Sequence, residues 1–167
     1  MIVLVKAPFT EDVMRTAGPI LAPGAAVASL QNGIGNEEII AAAVGPERTL
    51  AGSLYFGGSV KSPGVVHCSA RDAGLAIGAF DPAGRALAET AHGVMKEGGF
   101  NAKLYDDILG IKWQKGMLNV GISAITAILN LPVRVSAEQP GVRQAMIASC
   151  EEGLEVARQK GISLGDE

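Results

Sequence analysis

The sequence has no excess of positive charge, no cysteine motif and no long unbroken apolar run. Its formal net charge is -3, so it provides no basic surface for nucleic acid or for an anionic membrane. The two cysteines, Cys68 and Cys150, do not have the spacing of a metal site or a redox motif. We therefore predict no metal site and a reducing, cytoplasmic location, with a disulfide between the two cysteines as the alternative.

Neither a membrane span nor a secretory signal is indicated. Residues 117–133 are rich in apolar side chains, but polar residues interrupt them before the roughly 18 unbroken apolar residues of a span are reached. Residues 1–5 are too short for the apolar region of a signal peptide, and Lys6 follows them at once. We predict that residues 117–133 form a buried or half-buried helix.

The first part of the chain alternates between strand and helix patterns. Residues 2–5 form an apolar run rich in β-branched residues, which is typical of a strand buried on both faces of a parallel sheet. Thr10 is expected to cap a helix, and residues 25–30 read as a second strand. Asn36 is expected to cap the next helix, which ends near Gly45. This order predicts an α/β fold with a parallel sheet.

The middle of the chain carries shorter strand patterns, separated by glycine and proline. We expect these strands to extend the sheet in an antiparallel or mixed arrangement. A helix and a last strand should follow. The predicted strands cover residues 49–56, 65–69, 75–80 and 101–105, and the predicted helix covers residues 83–97.

From Asp106 onwards the pattern is helical. Asp106 can cap a long helix that runs to about Asn130 and is broken by Pro132, and a further helix should cover residues 141–160. We therefore predict α/β followed by all-α, with domains at residues 1–105 and 106–167.

The two ends of the chain suggest a larger protein. The sequence opens directly on a strand and stops just after a predicted helix. We expect both ends to be cuts through a longer chain, and a natural small protein is the alternative.

One candidate site lies in the loop of residues 31–38, between a predicted parallel strand and a helix. Open α/β sheets bind ligands at the carboxyl ends of their strands, and Asn32 offers both a donor and an acceptor there. Lys6 ends the first strand and can face the same crevice. A plain tight turn at Asn32 and a solvated surface lysine at Lys6 are the alternatives.

A second candidate site lies on the long predicted helix. Six polar residues, spaced 3, 4, 4, 3 and 4 apart, form one stripe. They are Lys112, Lys115, Asn119, Ser123, Thr126 and Asn130. The stripe is either the solvent face of an amphipathic helix or the lining of a ligand cleft. Its short uncharged members suit a cleft, where a lysine can protonate a carbonyl oxygen while an asparagine holds the ligand.

These motifs occur in a fixed order along the chain. The sequence Val5-Lys6-Ala7 is followed by Ser29-Leu30-Gln31-Asn32-Gly33-x-Gly35-Asn36-Glu37, by Pro63-Gly64 with His67, and by Trp113-x-Lys115-x3-Asn119. Together with Cys150-Glu151-Glu152 and residues 157–161, they resemble the ketopantoate reductase family over essentially the whole chain. The resemblance implies the later part of a Rossmann-like domain, followed by the first helices of a helical substrate and dimerisation domain.

The resemblance also implies roles for individual residues. Lys115 matches the catalytic lysine of the family, which acts as the general acid. Asn119 matches a substrate-binding asparagine, and Ser123 stands where the family often has a second one. Asn32 and Lys6 match residues beside the cofactor and substrate.

The implied function is NADPH-dependent reduction of 2-dehydropantoate to pantoate, in pantothenate and coenzyme A biosynthesis, by a longer parent enzyme. The glycine-rich phosphate loop and the distal helices of the family would lie outside these 167 residues, so the chain alone should be inactive. The partners would be a keto acid and, as an option, a second copy in a homodimer. The alternatives are reduction of another 2-keto acid, a different Rossmann dehydrogenase, and a non-catalytic dimerisation module.

Overall fold

The computed structural model describes residues 1–69 and 74–164. The predicted stop at residues 165–167 lies outside the described residues. The chain divides into two compact units, Met1–Ile108 and Leu109–Glu167. The first unit contains strands and helices and the second is helical, so the predicted class of α/β followed by all-α is confirmed.

Seven strands and six α-helices are found among the described residues. The strands are β1 (Ile2–Val3), β2 (Val27–Ser29), β3 (Thr49–Leu54), β4 (Gly57–Ser62), β5 (Val65–Ser69), β6 (Leu75–Ala79) and β7 (Ala102–Leu104). The helices are α1 (Thr10–Ala17), α2 (Asn36–Val44), α3 (Arg85–Glu97), α4 (Ile108–Leu129), α5 (Val133–Ala137) and α6 (Pro140–Gln159).

The main sheet has five strands in the order β1-β2-β3-β6-β7. The first three strands are parallel, β6 runs antiparallel to β3, and β7 runs parallel to β6. The prediction of a parallel sheet with a mixed extension is confirmed. The carboxyl ends of β1, β2 and β3 therefore lie along one edge of the sheet.

Both faces of the main sheet carry helices. On one face, Val3 and Val27 pack with Met14 of α1 and Ile40 of α2. On the other face, a second cluster joins α3 to the sheet through Ala28, Leu50, Ile77 and Ala88. The two layers are typical of a doubly wound α/β fold, in which alternate strand residues point to opposite faces.

The first strand is shorter and less buried than its sequence predicts. Val3 is buried, but Ile2 is 48% exposed and Leu4 is 59% exposed. Ile2 pairs in register with Ala28 and so faces the α3 side of the sheet, where α3 packs on β6 and β7 rather than on β1. The predicted burial on both faces is therefore wrong for this strand.

The strands β4 and β5 form a separate antiparallel hairpin around the turn at Pro63–Gly64. All residues of both strands are exposed. The prediction that residues 65–69 extend the main sheet is therefore wrong. The two glycines that open β4 suggested a break, but glycine weakens a strand without preventing ladder hydrogen bonds.

Two predicted caps of the first unit are wrong. Thr10 and Asn36 are the first residues of α1 and α2, and the N-cap positions belong to Phe9 and Gly35. Neither side chain bonds the helix backbone as a cap would, because the Thr10 hydroxyl donates to the Asn36 side-chain oxygen at 3.0 Å. A contact between the two helix starts thus replaces both local caps.

The predicted cap of the long helix is also wrong. That helix begins at Ile108, two residues after Asp106, and the Asp106 carboxylate forms an ion pair with Arg85. The far end agrees with prediction, because α4 stops at Leu129 and Pro132 precedes α5. The last predicted helix is confirmed as α6.

The helical unit is held together by close contact between α4 and α6. Trp113 and Met117 pack with Ala157 in its core. A Cβ atom added at Gly121 would collide with Cys150 Sγ and would lie 2.8 Å from the carbonyl oxygen of Met146. Glycine is needed at position 121 because the two helices approach there. None of the helices described is both long and apolar enough to cross a membrane.

Candidate functional site

The loop of residues 31–35 follows β2 and leads into α2, at the carboxyl edge of the parallel strands. Gly33 and Gly35 have φ of 95° and 99°, a conformation that other residues rarely adopt. Asn32 is exposed, whereas Gln31 before it is only 6% exposed. The loop therefore presents Asn32 to solvent from a buried base.

Four buried polar side chains, which we name the buried polar cluster, form that base: Thr10, Ser29, Gln31 and Asn36. The Gln31 amide donates to the Thr10 hydroxyl at 2.8 Å and accepts from the Ser29 hydroxyl at 3.3 Å. Thr10 in turn donates to Asn36 at 3.0 Å. The cluster links β2 to the starts of α1 and α2.

The buried polar cluster also reaches the backbone beside both predicted cofactor-binding residues. Gln31 Nε2 donates to the carbonyl of Val5 at 2.7 Å, directly before Lys6. Asn36 Nδ2 donates to the carbonyl of Asn32 at 3.3 Å. The structure thus brings the chain at Lys6 and the chain at Asn32 to one edge of the sheet.

None of these four side chains was a predicted site residue, although Gln31 and Asn36 lie in the predicted loop of residues 31–38. Their signal in the sequence is weak, because the hydrogen bonds join residues 21 and 26 positions apart. A polar residue directly after a strand, such as Gln31, was the available hint. Its burial depends on α1 packing, which the sequence does not reveal.

The predicted polar stripe of the helical unit lies on α4 from Lys112 to Thr126, and its members differ in burial. Its last member, Asn130, follows the end of the helix and has a φ of 52°. Lys112 is 5% exposed and Lys115 is half-buried. Asn119 and Ser123 are exposed further along the same helix. A fully solvated face would not bury Lys112, so the first turn of the stripe does not fit the plain solvent-face interpretation.

Lys115 is electrostatically distinct within this stripe. Burial lowers the pKa of the Lys115 ammonium, and the positive charge of Lys112 one turn earlier lowers that pKa further. Both effects disfavour the charged form, so this ammonium gives up a proton more readily than a solvated lysine does. A proton donor next to an exposed amide suits the protonation of a carbonyl oxygen.

The later part of the stripe lines a groove. Ser123, Thr126 and Asn130 border an open cavity of about 510 Å³ together with residues of the α4–α5 connection. Thr126 donates its hydroxyl to the carbonyls of Ile122 and Ser123 on its own helix. The Thr126 hydroxyl is thus bonded within its own helix, and the exposed Ser123 lies beside it at the groove.

The first unit also contains a cleft, which was not predicted from the sequence. It has a volume of about 240 Å³ and is lined on β7 and its flanks by Asn101, Lys103 and Tyr105. Tyr55 also lines this cleft. Burial is the larger cause that raises the pKa of the Tyr55 hydroxyl, and the neighbouring Tyr105 is the smaller one. The alternation of residues 101, 103 and 105 on one strand face was the available signal.

The predicted site residues are thus divided between the two units. Lys6 and Asn32 belong to the first unit, and Lys115, Asn119 and Ser123 belong to the second. Among the residues that the structure describes, no group of three acidic, cysteine or histidine side chains could hold a metal ion.

Family models match both parts of the chain. The model described as ketopantoate reductase PanE/ApbA matches residues 1–82. The model of the C-terminal part of the same family matches residues 107–167. The second match includes the whole polar stripe of α4.

Individual relatives agree with these matches. A 2-dehydropantoate 2-reductase from Halobacterium salinarum is 30% identical over 169 residues, which cover 99% of this chain and 54% of the relative. The chain thus spans about half the length of the curated relatives that it matches.

Solved structures show the same likeness. A PanE/ApbA family ketopantoate reductase from Ralstonia eutropha superposes with a TM-score of 0.86 at 27% identity, over 99% of this chain and 53% of that one. The fold is also similar to that of a D-mandelate dehydrogenase solved with NADH and anilino(oxo)acetate. That match has a TM-score of 0.87 at 21% identity, over 98% of this chain and 53% of that one.

Proposed function

Because the chain belongs to the ketopantoate reductase family, we propose that it is part of an oxidoreductase that reduces 2-dehydropantoate to pantoate with NADPH. The observation that carries this proposal is the half-buried Lys115 on α4, one turn before the exposed Asn119. A lysine with a lowered pKa can protonate the keto oxygen during the reduction, while the neighbouring amide holds the keto acid.

In the proposed reaction, Lys115 acts as the general acid. A reduced nicotinamide supplies the hydride when it is bound. The keto carbon accepts the hydride, the carbonyl double bond becomes a single bond, and the Lys115 ammonium donates its proton to the oxygen. Asn119 and Ser123 donate hydrogen bonds that orient the keto acid. The products would be a 2-hydroxy acid, the oxidised nicotinamide and a neutral lysine, which solvent protonates again.

The residues at the sheet edge fit a nicotinamide nucleotide. Gly35 has nothing within 4 Å of a Cβ position, so a ligand can approach the backbone there. Lys6 offers a cation for an anionic group, and Asn32 offers a donor and an acceptor for an amide or a ribose hydroxyl. We propose that the first unit contributes the cofactor-binding residues and the second unit the substrate-binding residues.

The test uses the full-length protein encoded by the gene, from its own start codon to its own stop codon. We expect 2-dehydropantoate to drive the oxidation of NADPH, with a higher kcat/KM than NADH gives. If no 2-keto acid drives the oxidation of either nucleotide, the proposal of an oxidoreductase is rejected. A preference for NADH would correct only the choice of cofactor.

A second substrate is favoured by one residue. Ser123 is shorter than asparagine, so a keto acid with a larger side chain could occupy the space at the groove. We propose a comparison of kcat/KM for 2-dehydropantoate with that for branched and aromatic 2-keto acids. A higher value for any of these would replace 2-dehydropantoate as the substrate while keeping the reaction.

The 167-residue chain itself supplies a further test. Its sequence has no Gly-x-Gly-x-x-Gly segment, the loop that holds the pyrophosphate of a dinucleotide. We therefore expect weak or absent NADPH binding and no turnover by this chain alone. Isothermal titration checks this, and sub-micromolar binding would contradict it.

We also propose a cytoplasmic homodimer. The free thiols of Cys68 and Cys150 support a reducing compartment. Large apolar side chains exposed on α4, among them Leu118 and Ile128, support self-association.

A further inference from the structure

We propose that the buried polar cluster positions the loop carrying Asn32, and that Thr10 and Gln31 are therefore positioning residues of the reductase. This inference rests on the proposed function for its effect on activity. Its structural part, the fixing of the loop at residues 32–35, can be tested without any activity.

The first argument is where the hydrogen bonds end. One hydrogen bond from the cluster reaches the carbonyl of Val5, next to Lys6, and another reaches the carbonyl of Asn32 itself. Any buried amide needs acceptors, but here the acceptors belong to the two segments that carry Lys6 and Asn32. The bonds fix the backbone that carries both predicted cofactor-binding residues.

The second argument is the nature of the loop. Residues 32–34 are exposed and belong to neither β2 nor α2. Two glycines with positive φ give this segment more freedom than other residues would allow. The hydrogen bond from Asn36 to the carbonyl of Asn32 therefore restricts the loop backbone more than the same bond would restrict the backbone of a helix or strand.

The third argument is the cost of burying four polar side chains. Thr10 and Ser29 are completely buried, and Gln31 and Asn36 are nearly so. An apolar set of the same size would pack with less desolvation cost, whereas polar partners accept only one relative arrangement. The cluster therefore specifies how α1, β2 and α2 meet, and through them the place of Asn32.

Thr10 is the best position for the test, because it both accepts from Gln31 and donates to Asn36. Thr10→Val keeps the shape of the side chain and removes both hydrogen bonds. Thr10→Ser keeps the hydroxyl and is the matched control. Ser29→Ala, which removes only the 3.3 Å bond to Gln31, replaces Thr10→Val if that variant does not fold.

The structural arm measures amide hydrogen exchange in the 167-residue chain. We expect Thr10→Val to speed exchange at residues 32–35, while the core amides of Ile40 and Ile77 keep their protection. Thr10→Ser should behave as the unchanged chain does. Equal exchange in all three proteins, or a uniform increase over the whole unit, would overturn the inference whatever the enzyme does.

The functional arm measures the full-length protein in a double-mutant cycle with Asn32→Ala. Thr10→Val should lower kcat/KM roughly ten-fold, the scale of one hydrogen bond that a displaced Asn32 no longer makes to the ligand, and Thr10→Ser should restore it. If Thr10 acts through Asn32, adding Thr10→Val to the Asn32→Ala variant should lower kcat/KM little further. If the losses in kcat/KM from Thr10→Val and Asn32→Ala are fully additive, the positioning role is overturned. If the unchanged full-length protein has no activity, the proposed function is rejected, and the hydrogen-exchange result alone decides the inference.

Discussion

The two units present their candidate residues in different ways. In the α/β unit, Asn32 stands on a loop whose base is held by hydrogen bonds between buried side chains. In the helical unit, Lys115, Asn119 and Ser123 stand on one helix, where the 3.6-residue period alone places them on a common face. The placement of the candidate residues in the first unit thus depends on contacts between residues far apart in the sequence. In the second unit it depends mainly on the integrity of α4.

The largest expected effect tests whether the helical unit carries the proton transfer. Lys115→Ala should lower kcat ~10²-fold or more in the full-length protein, the usual scale for a general acid. Lys6→Ala, which changes an exposed cation in the other unit, should mainly raise the KM for the nucleotide. Steady-state kinetics with both substrates varied distinguishes the two. A loss of only about two-fold in kcat for Lys115→Ala would remove Lys115 from this role.

The sequence predicted the helical unit better than the loop base. Its long helix follows from a periodic pattern, and so does the shared face of Lys115 and Asn119, because both are local properties. The caps at Thr10 and Asn36 were predicted wrongly, because a short polar residue before a helix normally bonds the nearest amides. Here the partners are 26 residues apart, and only the packing of α1 beside α2 brings them together.

The burial of individual residues along the polar stripe could not be predicted from the sequence either. Spacing places Lys112 and Ser123 on one face, yet the first is buried and the second exposed. The difference arises from tertiary packing around each turn of the helix. The exposure of Ile2 has a similar cause, since this apolar residue lies on the edge strand, whereas α3 packs mainly on β6 and β7.

The second prediction tests how tightly α4 is held. Gly121→Ala should lower the free energy of unfolding by about 1–3 kcal/mol, because the new methyl group meets Cys150 and the backbone of Met146. Gly93→Ala on α3 is the matched control: a Cβ there meets nothing within 4 Å. It should raise stability by about 0.5–1 kcal/mol through helix propensity. Denaturant unfolding measures both, and a neutral Gly121→Ala would contradict the close approach of α4 and α6.

A third prediction uses the charge of Lys112. Protonated Lys115 is the proposed acid, so kcat should fall as the pH rises through the pKa of Lys115, which lies below the ordinary lysine value. Lys112→Met removes one of the two causes that lower that pKa, so the falling limb should move to higher pH. The limb should not reach the position of a solvated lysine, because burial, the larger cause, remains. A pH profile of kcat checks this, and an unmoved limb would show that Lys112 does not influence the acid.

The smallest expected effect concerns the exposed side of α4. Ile128 is 83% exposed, so Ile128→Ser should change the free energy of unfolding by no more than about 0.5 kcal/mol at low protein concentration. Val94→Ser on α3 offers the same change at an exposed site of the other unit. If α4 takes part in the proposed homodimer, only the Ile128 variant should weaken association in sedimentation equilibrium, because it alone removes apolar area from that contact. Equal association of both variants and the unchanged protein would exclude Ile128 from the contact and contradict a homodimer formed through this end of α4.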